Sequence, residues 1–199
     1  RRQALNTALK IKDYEFNALG VEMGQRYESS AVVSDGTPWP TQDSDPELYY
    51  QPTTHPGARL PHAWLSTSNP AAPKVSTLDI CGGGHFTILT GTNGQKWVDA
   101  ARALSEELGV EIPAYKIGPD QDYADTFGDW FRLREIADDG CILVRPDNHV
   151  GYREARLVDD PTSALRDALS DILHLKINAG PEFQVGDRTQ PRERHTADA

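Results

Sequence analysis

The stretch FTILTGTNGQKWVDAARALSEELGVEIPAYKI, residues 86–117, decides the fold of this chain. Residues 86–90 have the pattern of a short strand, and apolar side chains then recur at helical spacing over 97–108. Gly109 stands where helices commonly end, and residues 112–117 are strand-like again. A strand, a helix and a second strand in this order predict a β–α–β unit whose strands run parallel.

Downstream of this unit, the pattern predicts a short helix, a hairpin and a last helix. The short helix is expected at 129–137, and the hairpin is expected from strands at 141–145 and 149–153 joined by turn-forming residues. Asp160 followed by Pro161 is typical of a helix start, and an apolar face follows it. We therefore expect the last helix to begin there.

The predicted order of elements is that of a thioredoxin-like fold. The sequence therefore predicts an α/β domain over 75–177, with a mixed sheet flanked by helices and no C-x-x-C motif. Residues 76–80 are expected to be a further strand, joined in a hairpin to the strand at 86–90 by Cys81 and a run of glycines. Residues 178–199 lose their periodicity, which predicts a flexible tail.

The chain ahead of this domain divides into two segments. Residues 1–19 have the apolar spacing of a helix and residues 21–33 alternate like a half-buried strand, so 1–33 is predicted to be the remnant of a preceding domain. Eight of the 14 prolines fall in 34–74, which predicts an extended surface connector that is not a packed element. The chain begins at Arg1 without a helix cap, and we expect a fragment of a longer protein.

Composition argues against several classes of partner. A formal net charge of −10 does not suit nucleic-acid binding, which needs clustered lysine and arginine. No apolar run is long enough to predict a membrane span. Cys81 and Cys141 are far apart and lack paired spacing, which suits a reducing compartment and predicts a cytoplasmic location.

Cys81 is the first candidate for chemistry in a thioredoxin-like fold. Thiol exchange needs a second thiol within reach and a helix N-terminus that lowers the attacking pKa, whereas Cys81 precedes three glycines. A structural role at a turn is therefore favoured, and a free-standing thiol protein using Cys81 is the alternative hypothesis. His62, Cys81 and His85 lack the paired spacing of zinc sites, so no metal ligand is predicted, and a small metal-binding module around them is the third hypothesis.

The segment PGARLPHAWL, residues 56–65, carries the most specific side chains. Arg59, His62 and Trp64 are predicted to dock on another domain through directional hydrogen bonds. The simpler alternative is that they hold the segment on its own domain. No catalytic and no cofactor-binding residue is predicted in this chain.

Four separated motifs together resemble one family. They are YEFNALGVEMGQRY at 14–27, PGARLPHAWL at 56–65, STLDI at 76–80 and LVRPDNHVGYR at 143–153. In this order they resemble the C-terminal part of FAD-dependent aromatic hydroxylases of the phenol hydroxylase group.

The resemblance implies a parent enzyme that binds FAD, takes hydride from NADPH and uses O₂ to hydroxylate a phenol of the chlorophenol type. It implies that this chain is a non-catalytic part concerned with structure and oligomerisation, with the missing N-terminal FAD domain as its partner and a homo-oligomer as its state. The family's flavin-contacting Gly-Asp segment has no counterpart, since Gly128-Asp129 is followed by Trp130-Phe131. We therefore expect the chain alone to bind neither FAD nor NADPH and to be inactive.

Overall fold

The computed structural model describes residues 1–69 and 71–176, so the predicted tail at 178–199 lies outside the described residues. The helices are α1 (Arg2–Phe16), α2 (Leu19–Met23), α3 (Thr77–Ile80), α4 (Gln95–Leu108), α5 (Asp129–Leu133) and α6 (Pro161–Leu173). The strands are β1 (Trp64–Leu65), β2 (Val75–Ser76), β3 (Thr87–Thr90), β4 (Ala114–Lys116), β5 (Cys141–Val144) and β6 (Val150–Glu154). Of the described helices, none combines the length and the apolar character that crossing a membrane requires.

The main sheet has four strands in the order β4-β3-β5-β6. Strands β3 and β4 are parallel with α4 between them in the chain, so the predicted β–α–β unit is confirmed. Strand β5 pairs antiparallel with both β3 and β6. Asn148 adopts a φ of 62° in the β5–β6 turn, a conformation that asparagine tolerates. The predicted α/β class, a mixed sheet flanked by helices, is confirmed.

Both faces of this sheet are covered. Helices α4 and α6 pack on one face, where Leu104 and Leu169 are at most 2% exposed. On the other face, Leu60 and Leu65 from the proline-rich segment and Trp130 from α5 cover the strands. The core therefore includes residues on both sides of the predicted boundary at residue 74, and that boundary stays a prediction.

The proline-rich segment differs from the surface connector that we expected. Leu60, Ala63 and Leu65 are each 1% exposed or less, and β1 pairs antiparallel with β2. In an extended chain, alternate side chains point to opposite sides. A proline-rich stretch can therefore bury part of its side chains in a core without forming a long strand.

The prediction of a strand at 76–80 is wrong, because residues 77–80 form the single-turn helix α3. The hydroxyl of Ser76 accepts a hydrogen bond from the Leu78 backbone N–H, and the Asp79 carboxylate accepts one from the Ser76 backbone N–H. This reciprocal cap favours a helix start over an extended strand. Cys81 and the glycines therefore connect a helix to β3 and do not form a hairpin.

The prediction of a strand at 21–33 is also wrong. Residues 19–23 form α2, and Arg26 makes one isolated bridge to Ala58. The predicted first helix is present as α1, and Leu5, Leu9 and Phe16 share one side of it, as expected. These three side chains are 55–70% exposed and no residue of α1 is buried. The described chain therefore leaves the apolar stripe of α1 uncovered.

Candidate interdomain docking site

Arg59 lines a cleft of about 350 Å³ between α2 and the proline-rich segment. Its backbone bridges to His149 next to the β5–β6 turn, and its side chain is half-buried. Burial raises the pKa of the neighbouring Tyr50 hydroxyl, and the positive charge of Arg59 partly offsets that shift. Within the described ranges, Arg59 takes part in no ion pair.

His62 and Trp64 lie together on the outward side of the same segment. Their rings meet edge to face, with centroids 4.8 Å apart and an interplanar angle of 89°. The His62 Nδ1 atom is 2.7 Å from the hydroxyl of Ser76, which fixes the imidazole at the cap of α3. Trp64 is 43% exposed, whereas its neighbour Leu65 is fully buried. The structure therefore brings His62 and Trp64 together and places Arg59 in a cleft that does not include them.

An ion cluster around the buried Arg153 holds the proline-rich segment against the sheet. Arg153 on β6 is 7% exposed and pairs with Asp35 at 2.5 Å and with Glu135 at 2.6 Å. The Thr37 hydroxyl lies 3.1 Å from the same guanidinium, and the Thr53 hydroxyl donates to Glu135 at 2.9 Å. A buried cation is costly unless it is paired, so these contacts act as one unit.

The carboxylate of Asp35 is held in its ionised form by this cluster. Burial opposes ionisation, but hydrogen bonds from Thr37 and the ion pair with Arg153 outweigh burial and lower the pKa of Asp35. This cluster is not predicted from the sequence, since Asp35 and Arg153 are 118 residues apart in the chain. The available signal was an arginine within the strand predicted at 149–153.

The two thiols lie in settings that do not favour nucleophilic chemistry. Cys81 and Cys141 are free and buried, and burial raises the pKa of both, whereas a reactive thiol needs a lowered pKa. The His85 Nδ1 atom is 3.7 Å from the carboxylate of Glu111. Over residues 1–69 and 71–176, no group of three or more metal-ligating side chains is positioned to hold an ion.

Residues 53–174 match the family model described as "Aromatic-ring hydroxylase, C-terminal". The chain is 53% identical over 170 residues to phenol 2-monooxygenase of Pseudomonas sp. (strain EST1001). This alignment covers 85% of this chain and 28% of that protein. It is 46% identical over 188 residues to 2,4-dichlorophenol 6-monooxygenase of Cupriavidus pinatubonensis (strain JMP 134 / LMG 1197), covering 94% of this chain and 31% of that protein.

Among solved structures, the flavin-dependent monooxygenase PieE in complex with FAD and substrate matches with a TM-score of 0.77 and 44% identity. The match covers 87% of this chain and 29% of PieE. The chain therefore spans less than a third of the length of each of these three relatives.

Proposed function

Because this chain belongs to the aromatic-ring hydroxylase C-terminal family, we propose that it is the non-catalytic C-terminal portion of a flavin-dependent phenol monooxygenase. The names of the curated relatives support a phenol as the substrate class, and the PieE complex supports FAD as the cofactor. In this proposal the parent uses FAD, NADPH and O₂ to hydroxylate an aromatic ring. The FAD and NADPH sites then belong to an N-terminal domain that is absent from these residues.

The observation that carries a structural role is the uncovered apolar stripe of α1. Leu5, Leu9 and Phe16 are exposed by 59%, 55% and 70%. Burying a side chain of this kind stabilises a structure by about 1.5–3 kcal/mol, so a surface that covers all three gains substantially. The Tyr14 hydroxyl donates to Asp45 at 2.5 Å, which ties the end of α1 to the proline-rich segment. We propose the missing FAD domain as the cover, and contact between copies in a homo-oligomer as a further role.

We propose Arg59, His62 and Trp64 as further contacts with the partner domain. Arg59 has no ion pair among residues 1–69 and 71–176 and lies in a concave site, which suits a carboxylate of the partner domain. His62 and Trp64 offer an exposed ring edge and an indole on the outward side of the packed segment. Aromatic and arginine side chains of this kind are enriched at the energetically important centres of interfaces.

Flavin binding by the 199-residue chain tests the proposal. After incubation with FAD and gel filtration, the protein peak should show no flavin absorbance. The chain should also not hydroxylate phenol when NADPH is added. A relative that retains its N-terminal domain serves as the control and should keep its flavin. One FAD retained per chain, or turnover of phenol by this chain, would contradict a non-catalytic role.

A free-standing thiol protein using Cys81 is the alternative function. Burial raises the pKa of the Cys81 thiol, whereas a reactive thiol needs a lowered pKa. This favours the non-catalytic role over the thiol protein. A fast reaction of native Cys81 with a thiol reagent, compared with Cys141 in the same chain, would favour the alternative. The cytoplasmic location stays a prediction from the two unpaired thiols.

A further inference from the structure

The cleft that contains Arg59 has a positive lining in a strongly acidic chain. Aspartate and glutamate together number 30, against 20 lysines and arginines. Of the residues that the structure describes, those that line this cleft of about 350 Å³ include Arg26 and Arg59 and no aspartate or glutamate. Gly20 and Met23 of α2 belong to the same lining, and we call the site the α2 cleft. Its charge favours an anionic group.

Hydrogen bonds place the two arginines on adjoining parts of the backbone. Arg26 forms an antiparallel bridge to Ala58, the residue before Arg59. Residues bridged in this way have Cα atoms about 4.5–5.5 Å apart. The Tyr27 N–H donates to the Gly57 carbonyl at 2.9 Å. Gly57 has a φ of 93°, and a Cβ at this position would lie 2.2 Å from the carbonyl oxygen of Tyr27, so this close approach requires glycine. The two arginines therefore line the cleft from neighbouring, hydrogen-bonded positions.

The two arginines differ in what already surrounds them. The guanidinium of Arg26 lies 4.8 Å from the ring centroid of Trp39 and pairs with Glu28 at 2.7 Å. The side chains of that ion pair are 44% and 73% exposed, and exposed pairs of this kind are weak. Arg59 is half-buried; burial raises the pKa of the Tyr50 hydroxyl and the charge of Arg59 opposes that rise, which places Arg59 near this hydroxyl. A carboxylate that enters the cleft is therefore expected to pair mainly with Arg59, where water is partly excluded.

The rest of the lining favours a peptide over a bare anion. Trp39 is half-buried and Tyr49 is 59% exposed, and both line the cleft. Aromatic side chains of a partner pack well on such rings. Gln25 and Gln51 are exposed, and each carries an amide donor and an acceptor, as a peptide group does. The α2 cleft therefore combines a cation, rings and amides, which match an acidic residue, an aromatic residue and the backbone that joins them.

The α2 cleft is next to the end of α1. The Tyr14 hydroxyl donates to Asp45 at 2.5 Å, and Pro46, which follows Asp45, lines the cleft. The apolar stripe of α1 is uncovered in the described chain, as the exposure of Leu9 and Phe16 shows. A partner that covers α1 is therefore within reach of the cleft.

We propose that the α2 cleft binds an acidic peptide segment in which an aspartate or glutamate adjoins an aromatic residue. The carboxylate pairs with the guanidinium of Arg59, and the aromatic ring packs against Trp39 and Tyr49. The amides of Gln25 and Gln51 bond to the backbone of the segment. This inference rests on the proposed function in one respect, since it assigns the segment to the N-terminal domain of the parent. Its test needs neither flavin nor turnover, so its failure is distinct from a failure of the proposed function.

A blocked dipeptide, N-acetyl-aspartyl-phenylalanine amide, is the probe for this site. We expect calorimetric titration of the 199-residue chain to give saturable binding. The asparaginyl analogue has the same shape without the charge and should bind at least about tenfold more weakly, since a hydrogen bond to a charged group is worth about that factor. An aspartyl-alanine probe lacks the ring and should also bind more weakly.

The variant Arg59→Gln removes the cation and should abolish the preference for the aspartyl over the asparaginyl probe. Arg102 lies on α4 outside this cleft, so Arg102→Gln removes the same charge elsewhere and should keep the preference. The absence of saturable binding, or equal affinity of the unchanged chain for the aspartyl and asparaginyl probes, would overturn the proposal. Binding of 3-phenylpropionate as tight as that of the aspartyl probe would also overturn it, because the cleft would then be a site for small organic acids. These comparisons on the unchanged chain decide the matter even where Arg59→Gln fails to fold.

Discussion

At the scale of single residues, Arg153 determines how the proline-rich part of the chain is held. Its guanidinium binds Asp35 from one end of that segment and Glu135 from the connection after α5. Thr53 and the backbone N–H of Thr54 add hydrogen bonds to the same Glu135 carboxylate. The Asp35 side chain is 12% exposed and the Glu135 side chain 36%, so loss of the arginine leaves mainly the buried Asp35 carboxylate without its cation.

Replacement of this arginine should therefore be strongly destabilising. We expect Arg153→Met to lower the free energy of unfolding by about 3–5 kcal/mol, since two carboxylates then lose their cation. Urea unfolding measures the change. Arg102 pairs with Asp99 at an exposed position on α4, and Arg102→Met is the control, with an expected change of about 1 kcal/mol or less. Equal effects of the two substitutions would contradict a special role for Arg153.

The lowered pKa of Asp35 predicts how this stabilisation depends on pH. A carboxylate whose pKa is lower in the folded chain than in the unfolded chain stabilises the fold at neutral pH, and that contribution is lost as the pH falls through its folded pKa. Asp35→Asn should therefore be less stable than the unchanged chain at about pH 7, and the gap should narrow below about pH 4. Urea midpoints across this range measure the gap.

The exposed Asp43 provides the matched control for the pH series. Asp43→Asn should have nearly the same stability as the unchanged chain at each pH, because Asp43 is exposed. A gap for Asp35→Asn that stays constant from neutral to acidic pH would show that its ionisation does not stabilise the fold.

At the scale of elements, local pattern predicted the helices and strands of the main sheet. Helix α4, the β5–β6 hairpin and α6 are found where apolar spacing and turn residues place them. Helix α6 begins as predicted, with the Asp160 carboxylate accepting from the Ser163 backbone N–H at 3.0 Å. The prediction failed at residues 77–80, where a cap within four residues outweighed the strand propensity.

The packing of α6 on the sheet gives a test at this scale. Leu169 is 2% exposed in the core, and Leu169→Ala should lower the free energy of unfolding by about 2–5 kcal/mol through lost burial and a cavity. Leu173 is on the same helix but 42% exposed, so Leu173→Ala should cost clearly less. Thermal or urea unfolding compares the two. Similar losses would show that α6 does not bury the face that contains Leu169.

At the scale of the whole molecule, the described chain is a packed sheet domain with an uncovered N-terminal helix. Leu9 lies in the apolar stripe of α1 and is 55% exposed. Apolar surface of this kind promotes association when its natural cover is absent. The proposed function supplies a cover in the parent, and the isolated chain is then expected to use a second copy.

Sedimentation velocity over a range of concentrations tests this expectation. The unchanged chain should self-associate, and Leu9→Glu should shift it towards monomer by placing a charge in the stripe. Thr7 lies on the opposite side of α1, so Thr7→Glu adds the same charge away from the stripe and should leave association unchanged. An unchanged chain that is monomeric at every concentration would contradict the prediction.

The sequence by itself determined the order of the elements from β3 onward, the parallel pairing of β3 with β4, and the resemblance to aromatic hydroxylases. The elements themselves depend on apolar spacing within a few residues, and the resemblance depends on the order of short motifs, both of which can be recognised in the chain directly. Only the tertiary structure decided that the proline-rich segment enters the core, that Asp35 meets Arg153, and that Arg26 and Arg59 line one cleft. The contacts in the core, the ion cluster and this cleft join residues far apart in the chain, and such contacts depend on how all the elements pack together.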